Sequence, residues 1–151
     1  MQDAELIVKS IALEEAAHDM LGQYSIDVSF EEVRKLALLH MPVQLAALEH
    51  EYVITSSKTL LDKLGIDMLV DINGSRWAID VTVGNKCVVR TKLRRLAFIK
   101  PFLDDLGCEA VVIRSKRGKL PSNIIALIER APMRDGVRDV RLGTNLRQIH
   151  Q

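Results

Sequence analysis

Cysteine, aromatic residues and long apolar runs are all scarce in this chain, and each scarcity removes a class of protein. Two cysteines, Cys87 and Cys108, stand 21 positions apart among 151 residues. That supports neither a disulfide framework nor paired metal-ligand spacing. Aromatic residues make up 4% of the composition, with one Trp, two Tyr and three Phe. So few rings leave little platform for stacking on flipped or single-stranded bases. The apolar runs, such as Val81-Thr82-Val83 with its neighbours or Ala110 to Ile113, fall far short of the roughly 20 residues a membrane helix needs. The opening residues Met1-Gln2-Asp3-Ala4-Glu5 are acidic and lead into no continuous apolar segment. No secretory signal is therefore expected, and the expected location is cytoplasmic. His18, His40, His50 and His150 form no i,i+4 pair and have no cysteine partner, which argues against zinc. Asn73-Gly74-Ser75 lacks both a P-loop lysine and a dinucleotide fingerprint, and no serine sits in an elbow motif.

What is present reads as an ordinary globular composition, 48% hydrophobic and 27% charged, at a length suited to one compact domain. We divide it into a helical part over 1–50, a core over 51–115 and a basic extension over 116–151. The net charge of +1 hides an asymmetry: residues 1–83 carry 6 Lys/Arg against 14 Asp/Glu, and residues 84–151 carry 15 against 6. A basic half on a nearly neutral chain suggests a surface built to meet phosphates. A self-neutralising surface formed by interleaved halves is the bland alternative.

Apolar residues recur at Ile7, Val8, Ile11, Ala16, Ala17, Met20 and Leu21, which predicts an amphipathic packing helix from Asp3 to Leu21, stopped by Gly22. A second helix has Ser29 as N-cap, Glu32 closing a capping box, and Val28 and Val33 as a hydrophobic staple. Pro42 lacks the N–H that a helix interior needs, so a break is expected before Leu45. Tyr52-Val53-Ile54-Thr55 is β-rich and reads as a strand, followed by a short helix to Leu64. Val89, Leu93, Leu96, Ala97 and Leu103 mark the buried stripe of a helix from Cys87 to Leu106, kinked at Pro101 and ended by Gly107. Ala110 to Ile113 reads as a strand buried on both faces, and Pro121-Ser122-Asn123 as the entry to a helix through Arg130. The chain after Pro132 has turn signals but weak periodicity.

The most informative segment starts at Gly65. Ile66, Met68, Val70 and Ile72 alternate with Asp67, Leu69 and Asp71, and Trp77, Ile79, Val81 and Val83 alternate with Arg76, Ala78, Asp80 and Thr82. Asn73-Gly74 between them predicts a two-residue hairpin loop. Ile72 then faces Ser75, Asp71 faces Arg76, Val70 faces Trp77, Met68 faces Ile79, and Asp67 faces Asp80. Opposed side chains share a sheet face with Cβ atoms roughly 4.5 to 5.5 Å apart, so two carboxylates there repel. Three readings remain open. The pair holds a hard divalent cation such as Mg²⁺; it shares one proton, with one pKa raised; or a register shift or bulge separates the two acids.

Gly65-Ile66-Asp67-Met68-Leu69-Val70, followed after twelve residues by Asp80-Val81-Thr82, resembles the core of the PD-(D/E)XK nucleases over roughly residues 29–115. The resemblance implies a restriction-endonuclease-like α/β sandwich, with a mixed central sheet flanked by helices. It implies phosphodiester hydrolysis by a Mg²⁺- or Mn²⁺-activated water, with Asp67, Asp80 and the Val81 carbonyl as metal ligands. An additional acid from the preceding helix would be Glu49, then Glu32 or Asp62. The chain departs from the family at Thr82, which stands where the motif lysine belongs. The expected substitute is Lys86, whose flexible stem could reach back about one strand spacing; Lys92 and Lys58 follow. The basic helix (Arg90, Lys92, Arg94, Arg95) and the loop residues Arg114, Lys116, Arg117 and Lys119 would hold phosphates. Duplex or branched DNA is the expected partner, and pairing into a homodimer is an expectation of the resemblance. A catalytically inactive nucleic-acid-binding or assembly module on the same fold is the alternative, and a protein-interaction domain the third.

Overall fold

The computed structural model describes residues 2–143, with the side chains of residues 2 and 3 left aside. Helix α1 (Gln2–Leu21) runs into a short 3₁₀ turn at Gly22–Tyr24, and α2 (Phe30–His40) starts as the capping signals require. The Ser29 Oγ accepts the Glu32 N–H at 3.2 Å. Pro42 opens α3 (Pro42–Glu51) at the first helical position, where its missing N–H removes no intrahelical bond. Tyr52 to Thr55 form no strand: the segment is an irregular connection and Val53 is 91% exposed. Its β propensity finds no neighbouring edge to pair with. Helix α4 (Ser57–Lys63) follows.

Strands β1 (Met68–Ile72) and β2 (Ser75–Thr82) form the expected hairpin, with Met68 facing Ile79, Val70 facing Trp77 and Ile72 facing Ser75. Asn73 and Gly74 adopt φ of 54° and 83°, the left-handed pair of a type I′ turn. The basic helix divides into α5 (Lys86–Phe98) and α6 (Lys100–Asp105), because Pro101 disfavours a helical residue before it and removes a donor. Strand β3 (Cys108–Ser115), helix α7 (Ile124–Glu129), and strands β4 (Met133–Arg134) and β5 (Val137–Leu142) complete the order. The weakly periodic stretch after Pro132 thus supplies an inner strand, its Val137, Val140 and Leu142 buried. Residues 144–151 lie outside the described residues, and the expectation for His150 falls among them.

The sheet is mixed and five-stranded, in the order β1-β2-β3-β5-β4; β2, β3 and β5 run parallel, and β1 and β4 flank them antiparallel. Period-2 alternation feeds two cores, one on each face. Leu69, Ala78, Ala110, Val112 and Val137 meet α2 to α6, while Met68, Val70, Ile79, Val111, Ile113 and Val140 meet α1 and α7. Helix α1 docks through Leu13, Ala17 and Leu21; Ile7, Val8 and Ile11, read as part of its packing face, are exposed. Burial of a Leu side chain contributes about 2 kcal/mol, so the docked second half anchors α1 beside the β1–β2 hairpin. Among the described residues no helix is long and apolar enough to cross a membrane.

Candidate active site

The hairpin register carries Asp67 and Asp80 to the same place at the end of β1. Just before β1 begins, the Asp67 N–H donates to the Ile79 carbonyl at 2.8 Å, although Ile79 is already the partner of Met68. Two residues of one strand therefore meet one of the other, which is a β-bulge. The bulge does not separate the acids. β1 has ended, so the Val81 N–H has no strand carbonyl to donate to, and it donates instead to Asp67 Oδ2 at 2.8 Å. This fixes the Asp67 carboxylate against β2, within reach of the Asp80 carboxyl.

Asp80 points to the α5 side of the sheet and is almost completely buried, at 2% exposure. Burial pushes its carboxyl up to about 7, the hydrogen bond with Asp67 adds to this, and the Lys92 ammonium holds it back. Lys92 Nζ donates to both Asp80 oxygens, at 3.1 and 3.0 Å. The repulsion between the opposed acids is thus offset inside the protein, by the raised pKa of Asp80, one ammonium and one backbone N–H. Of the three readings of the pair, proton sharing is the one this electrostatics favours, with Lys92 as the internal cation.

Asp67 also faces a cleft of about 210 Å³, lined by Glu14 and His18 from α1 and by Lys58 and Asp62 from α4. Partial burial raises the Glu14 carboxyl, Asp67 and Asp62 raise it further, and His18 and Lys92 draw it down. Asp80 lies behind Asp67, away from solvent. The arrangement can hold or release a proton near neutral pH, and it presents carboxylate oxygens to a ligand entering beside α1.

Several expected site residues are elsewhere. Glu49 is clasped by Arg34, at 2.9 and 3.1 Å between α2 and α3, and Glu32 lies exposed in the first turn of α2. Asp62 does line the cleft. Lys86 is exposed in the first turn of α5, and Lys92, six residues on, reaches Asp80 in its place. Spacing alone does not separate the two: Lys92 follows Val89 by three and precedes Leu96 by four, while Lys86 precedes Val89 by three and Leu93 by seven, so they border opposite edges of one buried stripe. Sequence reasoning does not single out Glu14 and weighs His18 only against zinc; their i,i+4 spacing is the one mark of a shared face.

Thr82 is buried, and its Oγ1 accepts the Gly84 N–H at 3.0 Å, turning the chain out of β2. Arg114 is buried as well and donates from Nε to the Gly84 carbonyl at 2.8 Å, so it braces the same turn instead of facing solvent as a phosphate contact. Arg95 donates to the Lys63 carbonyl at 3.0 Å. Arg90, Arg94, Lys116, Arg117 and Lys119 remain exposed, as a phosphate-binding surface requires. Among the described residues no group of three or more His, Cys, Asp or Glu side chains is placed to hold a metal ion. No protein-family model, curated protein or solved structure matches this chain.

Proposed function

We propose that this chain is a PD-(D/E)XK-like nuclease with a restriction-endonuclease-like sandwich, hydrolysing phosphodiester bonds of duplex or branched DNA with Mg²⁺ or Mn²⁺. The observation that carries the proposal is the seat of Lys92 on Asp80, at 3.0 Å, directly behind Asp67. It returns to the acid pair the positive charge that Thr82 cannot supply. The donors suit a hard cation in kind: Asp67 and Asp80 offer carboxylate oxygens, with the Val81 carbonyl as a further ligand, and Mg²⁺ retains several waters. When bound, such an ion polarises a phosphate and lowers the pKa of a coordinated water.

The chain's own groups do the rest. The Asp80 carboxyl, pushed up to about 7 chiefly by burial, holds a proton that can leave or return in the neutral range during hydrolysis. Lys92 sets an ammonium beside the site to oppose developing negative charge. Arg90 and Arg94 on α5, and Lys116, Arg117 and Lys119 after β3, are exposed cations that would position the DNA backbone. The purified chain is expected to nick supercoiled plasmid with Mg²⁺ or Mn²⁺, and Asp80→Asn and Lys92→Met are expected to abolish nicking.

One observation favours a second reading, a non-catalytic nucleic-acid-binding module on the same fold: Lys92 engages both Asp80 oxygens. In that case plasmid stays intact under both metals while duplex DNA is still shifted, with affinity falling steeply as salt rises.

A further inference from the structure

A second charged site lies farther along the sheet from the acid pair, toward the β5 edge. In register, Asp80 pairs with Val112 and Val112 with Asp139, which sets Asp139 two strand spacings, roughly 10 Å, from Asp80. Strand β4 covers β5 only at Val137 and Arg138, and beyond them a cavity of about 400 Å³ runs between α7 and the outer edge of β5. Arg130, Arg134 and Arg141 line it with Asp139, and Leu127, Pro132 and Leu142 form its apolar wall.

Asp139 is the structural centre of this cavity. Its side chain is 1% exposed, and it accepts Arg134 Nε at 2.8 Å and Arg141 Nε at 3.1 and 3.2 Å. A buried carboxylate is retained only where it is paired, and here two guanidinium groups share it. Asp139 therefore orients both arginines and leaves one positive charge in excess between them. Arg134 donates to Asp139 from Nε, and its side chain is 58% exposed. Arg141 is 33% exposed at the same carboxylate.

Paired guanidiniums held by a buried acid present fixed donors that match a phosphate in geometry and charge. An inorganic anion would gain nothing from the apolar wall beside them, whereas an organic body attached to a phosphate would cover Leu127, Pro132 and Leu142. We infer that this pocket binds a phosphate ester, the phosphate on Arg134 and Arg141 and the organic part against the apolar wall. The ester can be a free mononucleotide or the terminal phosphate of a nucleic-acid strand, since both offer the same chemistry. The inference stands independently of the acid pair.

Isothermal titration of the full chain tests it, with inorganic phosphate, adenosine monophosphate, and short oligonucleotides with and without a 5′-phosphate as the probes. Adenosine monophosphate or the phosphorylated oligonucleotide should bind at least tenfold more tightly than inorganic phosphate. Preference for the mononucleotide assigns a free ligand, and preference for the phosphorylated over the unphosphorylated strand assigns a strand end. Arg134→Met, which leaves Arg141 on Asp139, should weaken binding at least tenfold. Asp139→Asn combined with Arg141→Met should do the same without stranding a buried charge, and Lys35→Met on α2 should change nothing. Equal affinity for inorganic phosphate and the esters, no binding at millimolar concentration, or unchanged binding in both arginine variants would overturn the assignment.

Discussion

Replacing Lys92 with methionine is expected to destabilise the fold strongly in mild alkali and weakly in mild acid. The reason lies in Asp80, whose carboxyl rises from an ordinary 3.8 to about 7 in the folded chain, first through burial and then through Asp67. The folded state holds that proton more tightly than the unfolded state does. Stability from this group is therefore greatest below the unfolded value and is lost as pH rises through the folded one. A shift of about 3 units corresponds to about 4 kcal/mol in all, of which about 2 to 3 kcal/mol falls between about pH 5 and about pH 8. In the wild type Lys92 sits 3.0 Å from the ionised acid and compensates it. Without it, a buried carboxylate faces a second carboxylate with no cation between them, a loss of about 2 to 4 kcal/mol at the alkaline end. At the acid end Asp80 carries its proton, and the loss should shrink to about 1 kcal/mol.

Urea unfolding of wild type, Lys92→Met, Asp80→Asn and the double variant at both pH values measures this directly. Titration of groups far from the pair cancels in the differences. The double variant should recover most of what Lys92→Met loses at alkaline pH, because no buried charge is left unpaired. Equal losses at the two pH values, or losses that simply add in the double variant, would refute the account of Lys92 as the compensating cation.

Other expectations are simpler to check. Gly74→Ala places a Cβ at φ of 83° in the hairpin turn and should cost about 1 kcal/mol in thermal or urea unfolding. Asn85→Ala removes the Oδ1 that accepts the Cys87 and Val88 N–H groups at the start of α5, at 3.0 and 3.1 Å. It should destabilise the chain by about 1 kcal/mol. A thiol reagent should label the exposed Cys87 in the native protein and reach the buried Cys108 only on unfolding. Burial also pushes the Cys108 thiol upward, away from the reactive thiolate.

The features legible in the amino-acid order were those decided within a few residues. Ser29 caps α2, Pro42 opens α3, Pro101 divides α5 from α6, and Asn73-Gly74 sets the register that brings Asp67 to Asp80. Each depends on local φ/ψ limits and on donors three or four positions away, so the information is contained in the segment itself. What the segment could not contain was the identity of its neighbours. Tyr52 to Thr55 have strand propensity but no edge to join, while the weakly patterned Val137–Leu142 becomes a strand because β3 offers one. Ile7 and Ile11 have the right period for a packing face, yet the sheet lies only under Leu13, Ala17 and Leu21. The partners of the acid pair were settled the same way: Lys92 and Glu14, not Lys86 and Glu49, lie where α5 and α1 cross the end of the hairpin. Spacing along a helix decides which residues share a face, but only packing against the sheet decides which face is turned inward and what it meets there.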